Sequence, residues 1–135
     1  FKIISKYNYQ LGMEEMDNGN QSRSRHAAPA FGVTRLVYSY QKLVLQVFSF
    51  YSAQVSYANL NIEEQQKAVI YAKDALGNPY SPSWYTINFK AQYSINQNFT
   101  INAGIDNLTD VRYRPYSSGL VAPGRNFIMA IQARF

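Results

Sequence analysis

The sequence has 135 residues, 47% hydrophobic and 16% aromatic, with 12 Tyr and 8 Phe against 3 Met and 1 Trp, and a formal charge of +5. That length suits one small domain. The absence of cysteine excludes disulfides and thiolate metal sites, and the densest basic group, Arg23, Arg25 and His26, is too small for a nucleic-acid face.

Strands are favoured by the aromatic load, and six segments suit them. FKIISKYNYQL (1–11) sets Phe1, Ile3, Tyr7, Tyr9 and Leu11 on one face and Lys2, Lys6, Asn8 and Gln10 on the other. It reads as strand from its first residue, with no leader pattern, so the chain reads as starting within a larger architecture. AFGVTRLVYSY (30–40) alternates less cleanly. In KLVLQVFSFYSAQV (42–55), Leu43, Leu45 and Val47 share one phase while Phe48 and Phe50 take the other, which predicts a bulge between them. NIEEQQKAVIYAKDALG (61–77) fits a short helix or a loop equally. WYTINFKAQYSI (84–95) places Tyr85, Ile87, Phe89, Ala91, Tyr93 and Ile95 against Thr86, Asn88, Lys90, Gln92 and Ser94. FTINAGIDNL (99–108) opposes Phe99, Ile101, Ala103 and Ile105 to Thr100, Asn102, Gly104 and Asp106. The last strand, in NFIMAIQARF, puts Phe127, Met129, Ile131, Ala133 and Phe135 in phase. Period two recurs throughout.

Tight turns are predicted at Tyr40-Gln41 and Asn96-Gln97-Asn98, and long polar connections at 12–29, 56–82 and 110–125. Short turns at one end and long loops at the other form the pattern of an outer-membrane barrel. The competing reading is a soluble antiparallel barrel or sandwich whose apolar face points inward. No run approaches the roughly 18 apolar residues of a transmembrane helix, but a membrane strand needs only one apolar face. A ten-residue strand spans roughly 33 Å, covering about 23 Å of the membrane normal at a tilt near 45°. Tyr85, Tyr93, Phe99, Phe127 and Phe135 sit near strand ends, as interfacial aromatics do, with Ala91 and Ala103 nearer the middle. Six strands make a sheet about 29 Å wide, short of the roughly eight that close a membrane barrel. Open edges in lipid cost several kcal/mol per unpaired group, so the membrane reading requires further strands on both sides.

The segment 83–135 resembles the C-terminal end of TonB-dependent outer-membrane receptors. The resemblance rests on SWYTINFKAQYSI, on NFTINAGIDNLTDVRY with Asn107, Leu108, Asp110 and Tyr113, on Pro123-Gly124-Arg125 before Asn126-Phe127, and on the closing Phe135. Residues 1–82 fit more loosely, and RPYSSG with APGRNF looks most like Bacteroidetes-type members. The resemblance implies an all-β fold: six antiparallel transmembrane strands forming the C-terminal part of a 22-stranded barrel, with the plug and TonB box upstream of residues 1–135. It implies active transport of a scarce ligand of the ferric siderophore, haem or cobalamin class across the bacterial outer membrane, energised through TonB. Its partners would be the rest of the barrel and plug, TonB, the outer-membrane assembly machinery, lipid and a small ligand such as an iron chelate, with no nucleic acid and no resident cofactor. Phe127, Met129, Ile131, Ala133 and Phe135 would form the assembly signal, and the three long connections would be extracellular. The alternatives are a fragment of a passive porin or adhesin barrel and a small soluble β-domain.

Within that reading, Asn107 and Asp110 serve the turn after their strand, and Arg125 anchors its loop on carboxylates rather than touching a ligand. Asp106 and Arg134 face the lumen, where the barrel or plug offers partners. His26 reads as a solvated loop residue in preference to a haem ligand. Glu14, Glu15, Asp17, Glu63, Glu64 and Asp74 match no calcium-loop spacing. The loop aromatics Tyr57, Tyr71, Tyr80, Tyr113 and Tyr116 read as girdle residues before ligand contacts. One histidine, no cysteine and no serine at a recognisable spacing exclude an enzyme reading.

Overall fold

The computed structural model describes residues 1–135. All six predicted segments become strands of one antiparallel sheet: β1 (Lys2–Asn8), β4 (Phe31–Tyr40), β5 (Leu43–Ser52), β8 (Trp84–Ser94), β9 (Phe99–Asp106) and β10 (Asn126–Ala133), in that spatial order. Two small hairpins not read from the sequence fill the long connections: β2 (Met13–Glu15) with β3 (Gln21–Arg23), and β6 (Ala72–Lys73) with β7 (Pro79–Tyr80). The open question over 61–77 resolves into a one-turn helix α1 (Ile62–Gln65), after a 3-10 turn at Tyr57–Asn59, and then the β6–β7 hairpin. Asn61 caps α1 by accepting from the Glu63 N–H at 2.8 Å.

The bulge expected in β5 is not there. The β4–β5 register runs unbroken from Tyr40↔Leu43 to Phe31↔Ser52, and the β5–β8 register from Leu43↔Tyr93 to Ser52↔Trp84. Phe48 and Phe50 therefore lie on the face that carries Lys6, Arg35, Lys90 and the amides of β8, together with Val33 and Val37 of β4. Phe48 is accommodated there because Arg35 and Lys90 lie over its ring at 4.8 and 5.5 Å, and Phe50 meets its edge at 5.5 Å. Each cation–π contact contributes about 0.5–2 kcal/mol, and the long stems of the two cations cover the ring, leaving it 3% exposed. β1 also stops earlier than predicted, at Asn8, where the chain departs for the β2–β3 hairpin. The first tight turn falls at Gln41-Lys42, one residue later than predicted, with Gln41 at φ 49.

Register assigns the faces. Ile3, Leu36, Val47, Phe89, Ile105 and Phe127 form one apolar row, and Leu45, Ala91, Ala103 and Met129 form the next. The opposite face carries Lys2, Lys6, Arg35, Lys90 and the amides of β8 and β9, with Asp106 as its acid. No second layer covers either face: the buried hydrophobic residues are Phe48, Val55 and Leu60 alone. Both β1 and β10 are unpaired on their outer edges, and every residue of β10 is exposed.

Gly32 marks the tightest point of the apolar face. A Cβ there would stand 2.5 Å from the Lys6 carbonyl oxygen and 2.6 Å from the Tyr51 hydroxyl, because the Tyr51 ring crosses β4 over the glycine. Gly32→Val is expected to cost about 1–3 kcal/mol through overpacking against main chain that cannot retreat, read as a lower urea midpoint.

Candidate functional site

The long connections all rise from the same end of the sheet, and two buried polar side chains join them. Asn61 is fully buried; its Nδ2 donates to Glu14 Oε1 at 2.7 Å, the Arg23 carbonyl at 2.6 Å and Ser22 Oγ at 3.3 Å, fastening the second connection to the first. Arg25 bridges the same pair, 3.3 Å from Glu14 and 2.9 Å from Glu63. The charges of Glu63 and Glu14 raise its pKa further, but the bridge is exposed and adds little to stability.

Glu64 holds the second knot. Its carboxylate is fully buried, accepting from Lys67 Nζ at 2.7 Å, the Tyr71 hydroxyl at 2.5 Å and Ser117 Oγ at 3.2 Å. His26 Nδ1 stands 2.8 Å from Ser117 Oγ and 3.9 Å from Glu64, so all three connections meet here. Burial pushes the Glu64 carboxyl up, but the hydrogen bonds from Lys67 and Tyr71, the Lys67 charge and the Ser117 bond outweigh it and hold the group below its ordinary value. Burial, then the Glu64 hydrogen bond and charge, push the Tyr71 phenol well up, and burial with the Glu64 charge raises Tyr116. Asp74 is held down by the N–H groups of its own turn, chiefly that of Asn78.

Beside this knot lies a cleft of ≈ 790 Å³ between the top of β8 and the third connection. Trp84 stacks on Tyr113 with centroids 4.0 Å apart, and Tyr71, Tyr85, Arg112 and Arg114 contribute to the lining. Arg114 Nη1 reaches the Val69 and Ile70 carbonyls at 3.4 and 3.2 Å and closes one end. A second, wholly polar hollow of ≈ 860 Å³ lies at the turn end among Lys42, Gln92, Asn96, Gln132, Arg134 and their neighbours.

The residues singled out in sequence fall in three places. Asn107, Asp110, Pro123, Gly124 and Arg125 form the base of the third connection. Asn107 (φ 49) exchanges bonds with Val111 at 2.9 Å each way and donates to the Pro123 carbonyl at 3.2 Å. Asp110 accepts from the Arg125 N–H at 2.7 Å, and Gly124 permits it, since a Cβ there would stand 2.6 Å from Asp110 Oδ1. The Arg125 guanidinium donates to the Leu108 carbonyl at 2.9 Å; the expected carboxylate anchor is met by its main chain instead. Leu108 is exposed, and Tyr113 lies in the cleft. Phe127, Met129, Ile131 and Ala133 share the apolar face of β10, and Phe135 sets its ring edge-on to Phe99 at 6.2 Å. Of the loop aromatics, Tyr71 and Tyr113 line the cleft, Tyr116 lies 6.3 Å from Tyr71, and Tyr57 and Tyr80 stand outside the lining. Asp106 and Arg134 form no ion pair within the chain. Four of the six acids weighed for calcium are engaged within the chain: Glu14 and Glu63 by Arg25, Glu64 by Lys67, Asp74 by its own turn. Sequence reasoning missed the roles of Glu64, Asn61 and Trp84, because their partners lie 53, 47 and 29 residues away, a separation no local pattern records.

No family model matches the sequence. Among solved structures, the chain superposes on the copper transporter OprC with a TM-score of 0.67 at 16% identity, over 88% of this chain and 18% of that one. It superposes on the siderophore receptor PiuA from Acinetobacter baumannii with a TM-score of 0.58 at 21% identity, over 97% of this chain and 19% of that one. The chain thus spans less than a fifth of the length of either protein, one a transporter and the other a receptor, neither an enzyme. The likeness establishes the fold.

Glu64→Gln keeps the shape but removes the charge that Lys67 and Tyr71 satisfy, and is expected to cost about 2–4 kcal/mol of local stability. It should expose 56–82 and 110–125 to limited proteolysis while the strands stay protected. Because the folded Glu64 value is depressed, its stabilisation is full above the unfolded value of about 4.3 and is lost as pH falls through the lower folded value. Hydrogen-exchange protection of the three connections, taken relative to the intrinsic rate at each pH, should fall in that acid window in the parent chain and stay constant in Glu64→Gln.

Proposed function

We propose that this chain is the C-terminal part of the barrel wall of a TonB-dependent outer-membrane receptor, most like the Bacteroidetes-type members. The observation that carries the reading is the single uncovered sheet. One face is apolar and exposed across all six strands, and both edge strands lack partners. A soluble sandwich would cover that face with a second layer; a wall in lipid leaves it open and completes its edges with further strands, 22 in the full barrel. The superposition on under a fifth of a copper transporter and of a siderophore receptor supports a wall segment of a transporter.

In this reading the wall belongs to an active importer in the bacterial outer membrane, energised through TonB. The cargo is a scarce ligand of the ferric siderophore, haem or cobalamin class. The Lys and Arg face lines the lumen toward the plug, and the knotted connections form part of the extracellular rim. Asn107, Leu108, Asp110, Tyr113, Pro123, Gly124 and Arg125 set the last extracellular loop on its strands. The outward side chains of β10, closing on Phe135, are read as an added strand by the assembly machinery.

The parent polypeptide is expected at roughly 650–700 residues, the length at which the aligned 88–97% of 135 residues makes up 18–19% of a protein like those matched. Ligand accumulation by cells carrying it should vanish when the proton gradient is collapsed or TonB is removed; uptake that persists identifies a passive channel instead. Met129→Arg, at mid-height of the apolar face, is expected to cost about 2–4 kcal/mol in bilayers. An unchanged stability there would rule out lipid contact.

A further inference from the structure

β8 outruns its partner on one side. Its ladder with β5 extends to Ser52↔Trp84, whereas its ladder with β9 ends at Phe89↔Ile105. Beyond that point β9 turns off at Asn107, and one main-chain bond returns, from the Leu108 N–H to the Ile87 carbonyl at 2.7 Å. Successive residues of a strand turn their main-chain groups to alternate neighbours. The Ser94 N–H bonds the Lys42 carbonyl on the β5 side, so the even-numbered residues of β8 bond β5 and the odd-numbered ones face β9. The N–H and C=O of Tyr85 therefore point at the third connection, which is in no strand and sends no main-chain bond to them.

Opposite stands Val111–Arg114, which belongs to no strand. Val111 is held by Asn107 and the Tyr113 carbonyl by the Ala122 N–H, while the main chain of Arg112 bonds nothing. The ≈ 790 Å³ cleft is lined by Tyr85 and Arg112 of these two edges, with the Trp84–Tyr113 stack, and reaches Tyr51 of β5 and Ile70 of the second connection. Its charged residues are Arg112 and Arg114, and the ion pairs of the chain all lie elsewhere. The gap is also internal: it opens beside two consecutive strands, so strands completing the sheet beyond β1 or β10 do not fill it.

We propose that this cleft is a strand-addition slot for an extended acidic peptide. Its main chain would pair with Tyr85, and its carboxylates would meet Arg112 and Arg114. The unpaired edge supplies the ladder, the two guanidinium groups select acidic side chains, and the aromatic lining receives the apolar residues between them. This inference goes beyond the transport reading and does not depend on it.

The test uses the full parent polypeptide, purified in detergent, and a fluorescent, end-capped octapeptide alternating valine and glutamate. Saturable binding is expected, with slowed hydrogen exchange at the Tyr85 amide. Binding should weaken by roughly tenfold or more in Arg112→Glu, whose exposed side chain leaves folding intact. It should be lost when lysine replaces glutamate in the peptide, and when alternate amides of the peptide are N-methylated. Equal binding of the methylated peptide, or no binding to a parent that shows the native loop protection pattern, would overturn the proposal.

Discussion

Main-chain hydrogen bonding sideways through a single sheet is what every other feature of this chain depends on. With Phe48, Val55 and Leu60 as its whole buried hydrophobic set, the chain has no core in the ordinary sense. The unbroken registers from β1 to β10 fix which residues share a face, and a slip of one residue would exchange the apolar and polar sides of a strand. This is why Phe48 sits among Arg35, Lys90 and Asn88, with Phe50 beside it between Val33 and Thr86. Keeping the ladder intact saves main-chain bonds on both sides of β5, and two cations over one ring offset the misplaced aromatics more cheaply than a bulge would.

Order at the loop end comes from a different source. There the ladder stops, and buried polar groups with complete hydrogen-bond sets take its place. Asn61 and Glu64 are both fully buried, and each reaches across at least two of the three long connections. Removing one partner from such a set leaves the rest buried and unsatisfied, so the loops behave as one unit. Tyr71 belongs to both this knot and the cleft, its hydroxyl on Glu64 and its ring in the cleft lining. Occupancy of the cleft and order of the loops thereby share a residue.

The same separation accounts for the proposed roles. In the proposed reading, the wall of a receptor barrel covers the apolar face with lipid and pairs both open edges with further strands. The place where the ladder ends early, at the top of β8, is where main chain, aromatic rings and two arginines without ion-pair partners come together. Function on such a scaffold is expected at its loop end, where the hydrogen bonds are not all spent on the wall.

The sequence by itself determined the strands, because a sheet with one apolar face writes its period directly into alternate residues. Ile3, Val47, Phe89, Ile105 and Phe127 were legible as sharing the apolar face of their strands, whereas Leu36 lies in a segment whose alternation is blurred, and the tight turn at Asn96–Asn98 and the three long connections were legible from composition. The motif residues Asn107, Asp110 and Arg125 could be placed at a loop base, since their bonds reach only 4 to 17 residues along the chain. Only tertiary structure decided that β5 runs straight past its change of phase, since that depends on Arg35 and Lys90 from the two neighbouring strands. It alone gathered Glu64 with Ser117 and His26, and Trp84 with Tyr113, because those contacts answer to how three loops lie over one another. A strand's pattern is local and survives in the one-dimensional record. A loop's contacts are long-range, and their energy appears only once the ladder has brought the ends together.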